Sequence, residues 1–278
     1  MGYLGRRIGL SQDQGNSNPD GADGAVGGGI LDLFTNGYFE KQDKIFNSPA
    51  IIPSSGLTAS GGVISDYTDP GPGNIYRAHI FTSSGTFEVT ALASGSLTGT
   101  DDLEYLVVAG GGGGGGESAQ SGGGGAGGFR TNLTGHPVKA ADYTAEVGTY
   151  TVTVGAGGLG GLGPSPSGAK VGSQGGNSEF FPTPVSYPST KRIRSVGGGG
   201  GMGYTSAPVP GMNGGSGGGA NNTNSNTAGG TAATDPNHPQ IAGYAGGGSE
   251  PAYGSPYAGG GGGGAGRVGA PDNPSTPL

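Results

Sequence analysis

The sequence predicts an all-β protein: a small β-sandwich-like unit, a glycine-rich polyglycine-II array with long loops, and almost no helix. Three observations carry that expectation. First, 70 glycines and 20 prolines among 278 residues leave too few side chains for one conventional core across the whole chain. Second, short segments alternate apolar and polar residues in the two-residue period of strands. Third, no segment carries the 3.6-residue apolar period of a helix.

Taken in order, the chain reads as three parts. Residues 1–50 form an arm, loop-like at first, with Gly, Asn and Asp punctuation. "ILDLFTNGYFEKQDKIF" then supplies Leu31, Leu33, Phe34, Tyr38, Phe39, Ile45 and Phe46. Their spacing fits neither a clean helix nor a clean strand. They either pack on their own domain or dock on a partner.

Residues 51–155 read as a β unit with inserted glycine-rich strands. In "NIYRAHIFTSSGTFEVTALASG", Tyr76, Ala78 and Ile80 alternate with Arg77 and His79. Phe87, Val89 and Ala91 alternate with Glu88 and Thr90, and "TSSG" between the two reads as a hairpin turn. "DLEYLVVA" adds a strand whose continuous apolar end predicts burial on both faces. "TYTVTVG" alternates Tyr150, Val152 and Val154 against Thr149, Thr151 and Thr153. It predicts a half-buried strand of the same sheet.

Residues 156–278 form the third part. Glycine runs recur from Gly110 onward, at 110–116, 122–125, 197–201, 217–219, 246–248 and 259–264. Collagen is excluded, because it needs glycine at every third position throughout. Two readings of the runs compete. One is a flexible linker. The other is a packed array of polyglycine-II strands, with three residues per turn and no hydrogen bonds within a strand. Only glycine lets such axes approach closely, and the outward-facing backbone groups can then bond between strands. Seven residues would span about 22 Å at the usual rise. The repetition of runs within one region favours the array, with Gly110–Gly116 at φ near −75° or at its mirror value.

The remaining signals are mostly exclusions. The net charge is −7, and the one basic cluster is "KRIR", residues 191–194. Nucleic-acid binding needs a basic footprint, so none is expected. The absence of cysteine removes disulfides and thiolate zinc sites. No stretch has the length of an apolar membrane span, and the N-terminus lacks the apolar core of a secretory signal. His79, His136 and His238 lie far apart, and His79 reads as a structural strand residue. "TDDLE" reads as a solvated turn. "VVAGGGGGGG" follows a strand but opens no helical pattern, so it is no dinucleotide fingerprint. No nucleophile–base–acid set is present, and neither enzyme activity, nor a cofactor, nor a metal is expected.

"FTSSGTF", "YLVVAGGGGGGG" and "YTVTVGAGG", in that order and followed by further glycine runs, carry a resemblance over residues 75–266. They resemble the glycine-rich domain of bacteriophage tail fibres and related virion appendages. The later runs are similar to polyglycine-II adhesins of T-even-type phages, and "MGYLGRR" is weakly similar to the N-termini of cyanophage fibres. The resemblance implies a structural virion protein, assembled in host cytoplasm and released extracellularly. It implies a homotrimer, attached to other virion tail or capsid proteins through residues 1–50. The glycine runs would be scaffold, and the loops between them would contact a bacterial surface receptor such as a glycan. Tyr204, Asn221, Asn222, Asn224, Tyr244, Tyr253 and Tyr257 are the candidate contacts, since aromatic faces beside amides suit such ligands. The tyrosines could instead fill gaps against the array. A capsid or neck decoration without a receptor role, and a cellular extracellular filament or matrix protein, are the alternatives.

Overall fold

Alternating segments and glycine runs fold under two different packing rules. The computed structural model describes residues 55–68, 75–116, 120–163, 170–183, 191–203, 210–221, 227–233, 243–249 and 258–271. They belong to one compact unit that starts at Ser55. The arm residues Leu31, Leu33, Phe34, Tyr38, Phe39, Ile45 and Phe46 lie outside the described residues.

The β unit comprises β1 (Thr58–Ser60), β2 (Val63–Thr68), β3 (Ile75–Ile80), β4 (Gly85–Ala91), β5 (Asp102–Leu103), β6 (Leu106–Val108), β7 (Phe129–Thr131), β8 (Tyr143–Thr144), β9 (Gly148–Thr153), β10 (Ser178–Thr183) and β11 (Ile193–Ser195). The main sheet has the antiparallel order β1-β4-β9-β10-β11, and three two-stranded sheets, β2-β3, β5-β8 and β6-β7, surround it. The one helical turn among the described residues is a 3-10 turn at Gly95–Leu97.

Alternation in β4 and β9 sends Phe87, Val89 and Tyr150 into one core with Tyr143, Ala145 and Ile193. Phe180 of β10 stacks on Tyr150 at 5.0 Å and meets Tyr143 edge-on at 5.4 Å. Burial pushes the Tyr143 phenol well above its ordinary pKa, so it stays neutral in this core. The half-buried strand expected at 149–155 is β9, paired with β4 through Phe87↔Tyr150.

Three strand expectations need correction. The hairpin expected between 76–80 and 87–91 does not form. β3 pairs with β2 (Tyr67↔Tyr76, Ser65↔Ala78), while β4 pairs with β1 and β9. Alternation fixes which face a residue takes, not which strand it bonds, and β4 gains a buried aromatic partner on β9. "DLEYLVVA" is not one strand buried on both faces: it breaks into β5 and β6, and Leu106 and Val108 are exposed at 67% and 54%. Among the described residues β6 pairs only with β7; Leu103, Tyr105 and Val107 pack against the core, so one face of the run is covered and the other is open. Lastly, β7, β10 and β11 lie between the glycine runs, where no strand is expected. Pro182 is tolerated in β10 because it lies past the β11 pairing, which stops at Phe180, where no donor is needed.

"TDDLE" is not the solvated turn expected, because Asp102–Leu103 form β5 and both aspartates hold neighbouring chain. Asp101 is buried and accepts a hydrogen bond from the Ala93 amide (2.7 Å), and Asp102 accepts one from the Thr144 hydroxyl (2.6 Å). His79 holds the Gly61 carbonyl at 2.7 Å through Nδ1 and lies edge-on to Phe87.

In the glycine-rich half, the backbone bonds repeat every three residues. The amides of Gly110, Gly113 and Gly116 donate to the carbonyls of Gly176, Ser173 and Lys170 (3.0, 2.9 and 2.7 Å). Those of Ala109, Gly112 and Gly115 donate to Gly128, Gly125 and Gly122 (2.9, 2.8 and 2.9 Å). The carbonyls of Gly111 and Gly114 accept from Gly158 and Gly161, both at 2.8 Å. This is the threefold period of polyglycine II. The mirror conformation is not used: the described glycines with positive φ are Gly61, Gly62, Gly95, Gly99, Gly135 and Gly148, all in the β unit. One hand throughout lets every strand present its groups with the same period.

Residues 214–220 form the centre of the array. They bond to 121–128, 197–203, 210–213, 227–230, 243–249 and 258–264, and each of these six bonds to the next around the ring. Six neighbours in a closed ring is hexagonal packing. Every residue of 214–221 is buried. The close approach explains the composition "GGSGGGA". A Cβ on Gly218 would stand 2.0 Å from the Gly200 carbonyl oxygen, and one on Gly219 would stand 1.9 Å from that of Gly260.

Candidate functional site

The pairings fix the direction of each array segment and so give the array two distinct ends. Residues 109–116, 155–162, 197–203, 214–220 and 243–249 run one way; 121–128, 170–176, 227–230 and 258–264 run the other. β6 leads directly into the first of these, β9 into 155–162 and β11 into 197–203, while 121–128 and 170–176 lead back into β7 and β10. The β unit therefore sits at one end. Ser55, where the described chain begins, bridges to Ser94 within that β unit.

At the opposite end the chain reverses direction five times, between residues 116 and 120, 163 and 170, 203 and 210, 221 and 227, and 249 and 258. The described residues flanking these reversals are tied to the array. Ser121 donates through its hydroxyl to the Gly116 carbonyl at 2.7 Å. Thr227 and Ser249 exchange backbone hydrogen bonds at 2.9 and 2.7 Å. The intervening sequences "ESA", "PSPSGA", "YTSAPV", "NTNSN" and "EPAYGSPY" contain Glu117 and Glu250 but no Lys or Arg.

The expected contact residues separate against this frame. Tyr204, Asn222, Asn224, Tyr253 and Tyr257 lie outside the described residues. Asn221 is fully buried, and its side-chain amide donates to the Gly203 carbonyl at 3.2 Å. As a surface contact it is corrected: it ties the central segment to its neighbour. Tyr244 is 43% exposed but starts the 243–249 segment, beside the β unit, away from the other candidates. Its backbone serves the array, with the carbonyl accepting from Gly217 at 2.9 Å.

Among the described residues no three His, Cys, Asp or Glu side chains converge to hold a metal ion. The "KRIR" cluster is largely paired: Lys191 with Glu146, and Arg192 and Arg194 with Glu179, while Ile193 enters the core. What the arrangement can do is hold five chain reversals on one rigid platform.

Residues 82–276 match the family described as Glycine-rich domain. This spans more than half the chain, and the protein belongs to that family. No curated protein and no solved structure matches it.

Proposed function

We propose that this member of the glycine-rich domain family is a structural virion protein, a phage tail fibre or similar appendage. In this reading it binds a host surface receptor through the five reversals at the far end of its array. Residues 1–50 attach it to other virion tail or capsid proteins, and copies associate as a homo-oligomer, a trimer by family resemblance. Assembly takes place in the host cytoplasm, and release is extracellular.

The observation that carries this reading is the polarity of the unit. The described chain begins in the β unit, and the array segments reverse at the opposite end; of the five sequences between them, "YTSAPV" and "EPAYGSPY" carry tyrosines and "NTNSN" carries asparagines. A backbone-bonded array suits that task. Its stability comes from the strands themselves, so the reversals can vary in sequence without loss of a core. The far-end sequences are weakly acidic, which favours a ligand recognised by stacking and amide hydrogen bonds, as a glycan is.

Exchange of residues 222–226 for another sequence of equal length tests the reading. Adsorption of virions carrying the exchanged chain should fall or change host, while the midpoint of denaturant unfolding of the purified chain stays put. Unchanged adsorption with normal incorporation would favour a capsid or neck decoration instead.

A further inference from the structure

The hexagonal packing that closes around 214–220 stops short at 109–116. Among the described residues that segment has four neighbours, in the order 121–128, 197–203, 170–176 and 155–162, each bonded to the next. Four adjacent neighbours out of six cover about half of its circumference and leave two positions open. Gly111 and Gly114 face that gap. Both are exposed, and among the described residues their amides make no hydrogen bond.

Three further observations converge on this side. A Cβ would meet nothing closer than 3.8 Å at Gly111 and 3.9 Å at Gly114, so the fold of this chain does not demand glycine at either. The adjacent segment exposes Gly157 and Gly160, whose carbonyls accept no hydrogen bond among the described residues. The flanking elements expose aliphatic side chains: Leu106 and Val108 on β6, which leads into 109–116, and Leu159 and Leu162 on the adjacent segment, exposed at 67%, 54%, 77% and 64%. Exposed apolar clusters of this kind mark interaction surfaces.

We infer that this open side of the array is an interface with a second copy of the same chain, whose 155–162 segment occupies the vacant position beside 109–116. The surface is self-complementary. It offers a row of amides at Gly111 and Gly114 and, on the next segment, free carbonyls at Gly157 and Gly160, both with a three-residue repeat. A strand that fills the gap must repeat its carbonyls with that period and bring no side chain to the contact, and this chain supplies such strands. Charge points the same way. Two copies of a chain of net charge −7 repel, and this surface carries no charged residue at the positions named. Self-complementary surfaces are what copies of one chain use to associate. The inference does not depend on receptor binding, and it names a surface for the self-association of the appendage.

The chain has no cysteine, so single introduced thiols report contacts cleanly. Full-length Gly114→Cys and Leu159→Cys chains are mixed under mild oxidation. A disulfide-linked dimer containing one of each is expected, and excess wild-type chain should suppress it. Gly111→Lys should weaken self-association measured by sedimentation by about tenfold or more, with the unfolding midpoint of the dilute chain unchanged. The inference is overturned if both thiols react with a maleimide yet no linked dimer forms. It is equally overturned if wild-type competitor leaves the yield unaltered, or if Gly111→Lys associates as the wild type does. None of these readouts involves host adsorption, so the interface and the receptor reading fail separately.

Discussion

The β unit and the glycine array use one backbone under opposite rules. In the β unit, strands bond within a sheet plane and side chains fill the space between layers, as Phe87, Tyr150 and Phe180 do. In the array, strands bond to neighbours on all sides, and a side chain is an obstruction. Ser216, Ala220 and Asn221 are each fully buried, in the central segment that elsewhere holds only glycine. The Ser216 hydroxyl is accommodated because it donates to the Gly264 carbonyl at 3.0 Å. The difference inverts the response to mutation: one half is damaged by removing atoms, the other by adding them.

Phe87→Ala should have the largest effect. It empties the centre of the aromatic cluster at 6% exposure, and truncations of this kind cost about 3–5 kcal/mol. Denaturant unfolding of the full chain measures it. Little loss would mean that the aromatic cluster does not hold the β unit together.

Gly218→Ala should follow, although it adds a single carbon. The new Cβ would stand 2.0 Å from the Gly200 carbonyl oxygen, inside a ring of six strands with no flexible side chain to yield. Overpacking of a tight interior costs about 1–3 kcal/mol, at times more. The same denaturant titration reads it, and amide exchange should show the loss concentrated in the segments around 214–220. An unaffected midpoint would sink the hexagonal packing.

Much of this contrast was legible in the residues, and the rest was hidden for identifiable reasons. The glycine runs gave away the array because no other residue fits interaxial contacts this close. The half-buried β9 was legible from Tyr150 and Val152 alternating with threonines. Pairing was not, because Tyr76 and Phe87 sit in equally regular alternations although only Phe87 reaches the core. Purity of a run did not predict depth: the seven glycines at 110–116 lie at the edge, while the mixed "GGSGGGAN" lies at the centre. Asn221 was chosen for its residue type, and its burial follows from its place at the end of the central segment. That place depends on pairings between residues far apart in the chain, which local composition does not encode. The clustering of five reversals at one end was equally non-local, since it follows from strand directions.

The smallest effects give the sharpest comparison, because they lie within one run. A Cβ would reach the Ala156, Gly199, Leu159 and Met202 carbonyl oxygens at 2.0–2.2 Å from Gly110, Gly112, Gly113 and Gly115, and the Gly161 oxygen at 2.4 Å from Gly116. At Gly111 and Gly114 it meets nothing closer than ordinary van der Waals contact, at 3.8 and 3.9 Å. The central claim is tested by alanine substitution at each position from Gly110 to Gly116, with the unfolding midpoint of the dilute chain as readout. The array predicts a loss at five positions, with Gly111→Ala and Gly114→Ala neutral or stabilising by about 0.4–1 kcal/mol. A uniform, near-zero response along all seven glycines would mark the run as a linker and contradict the array.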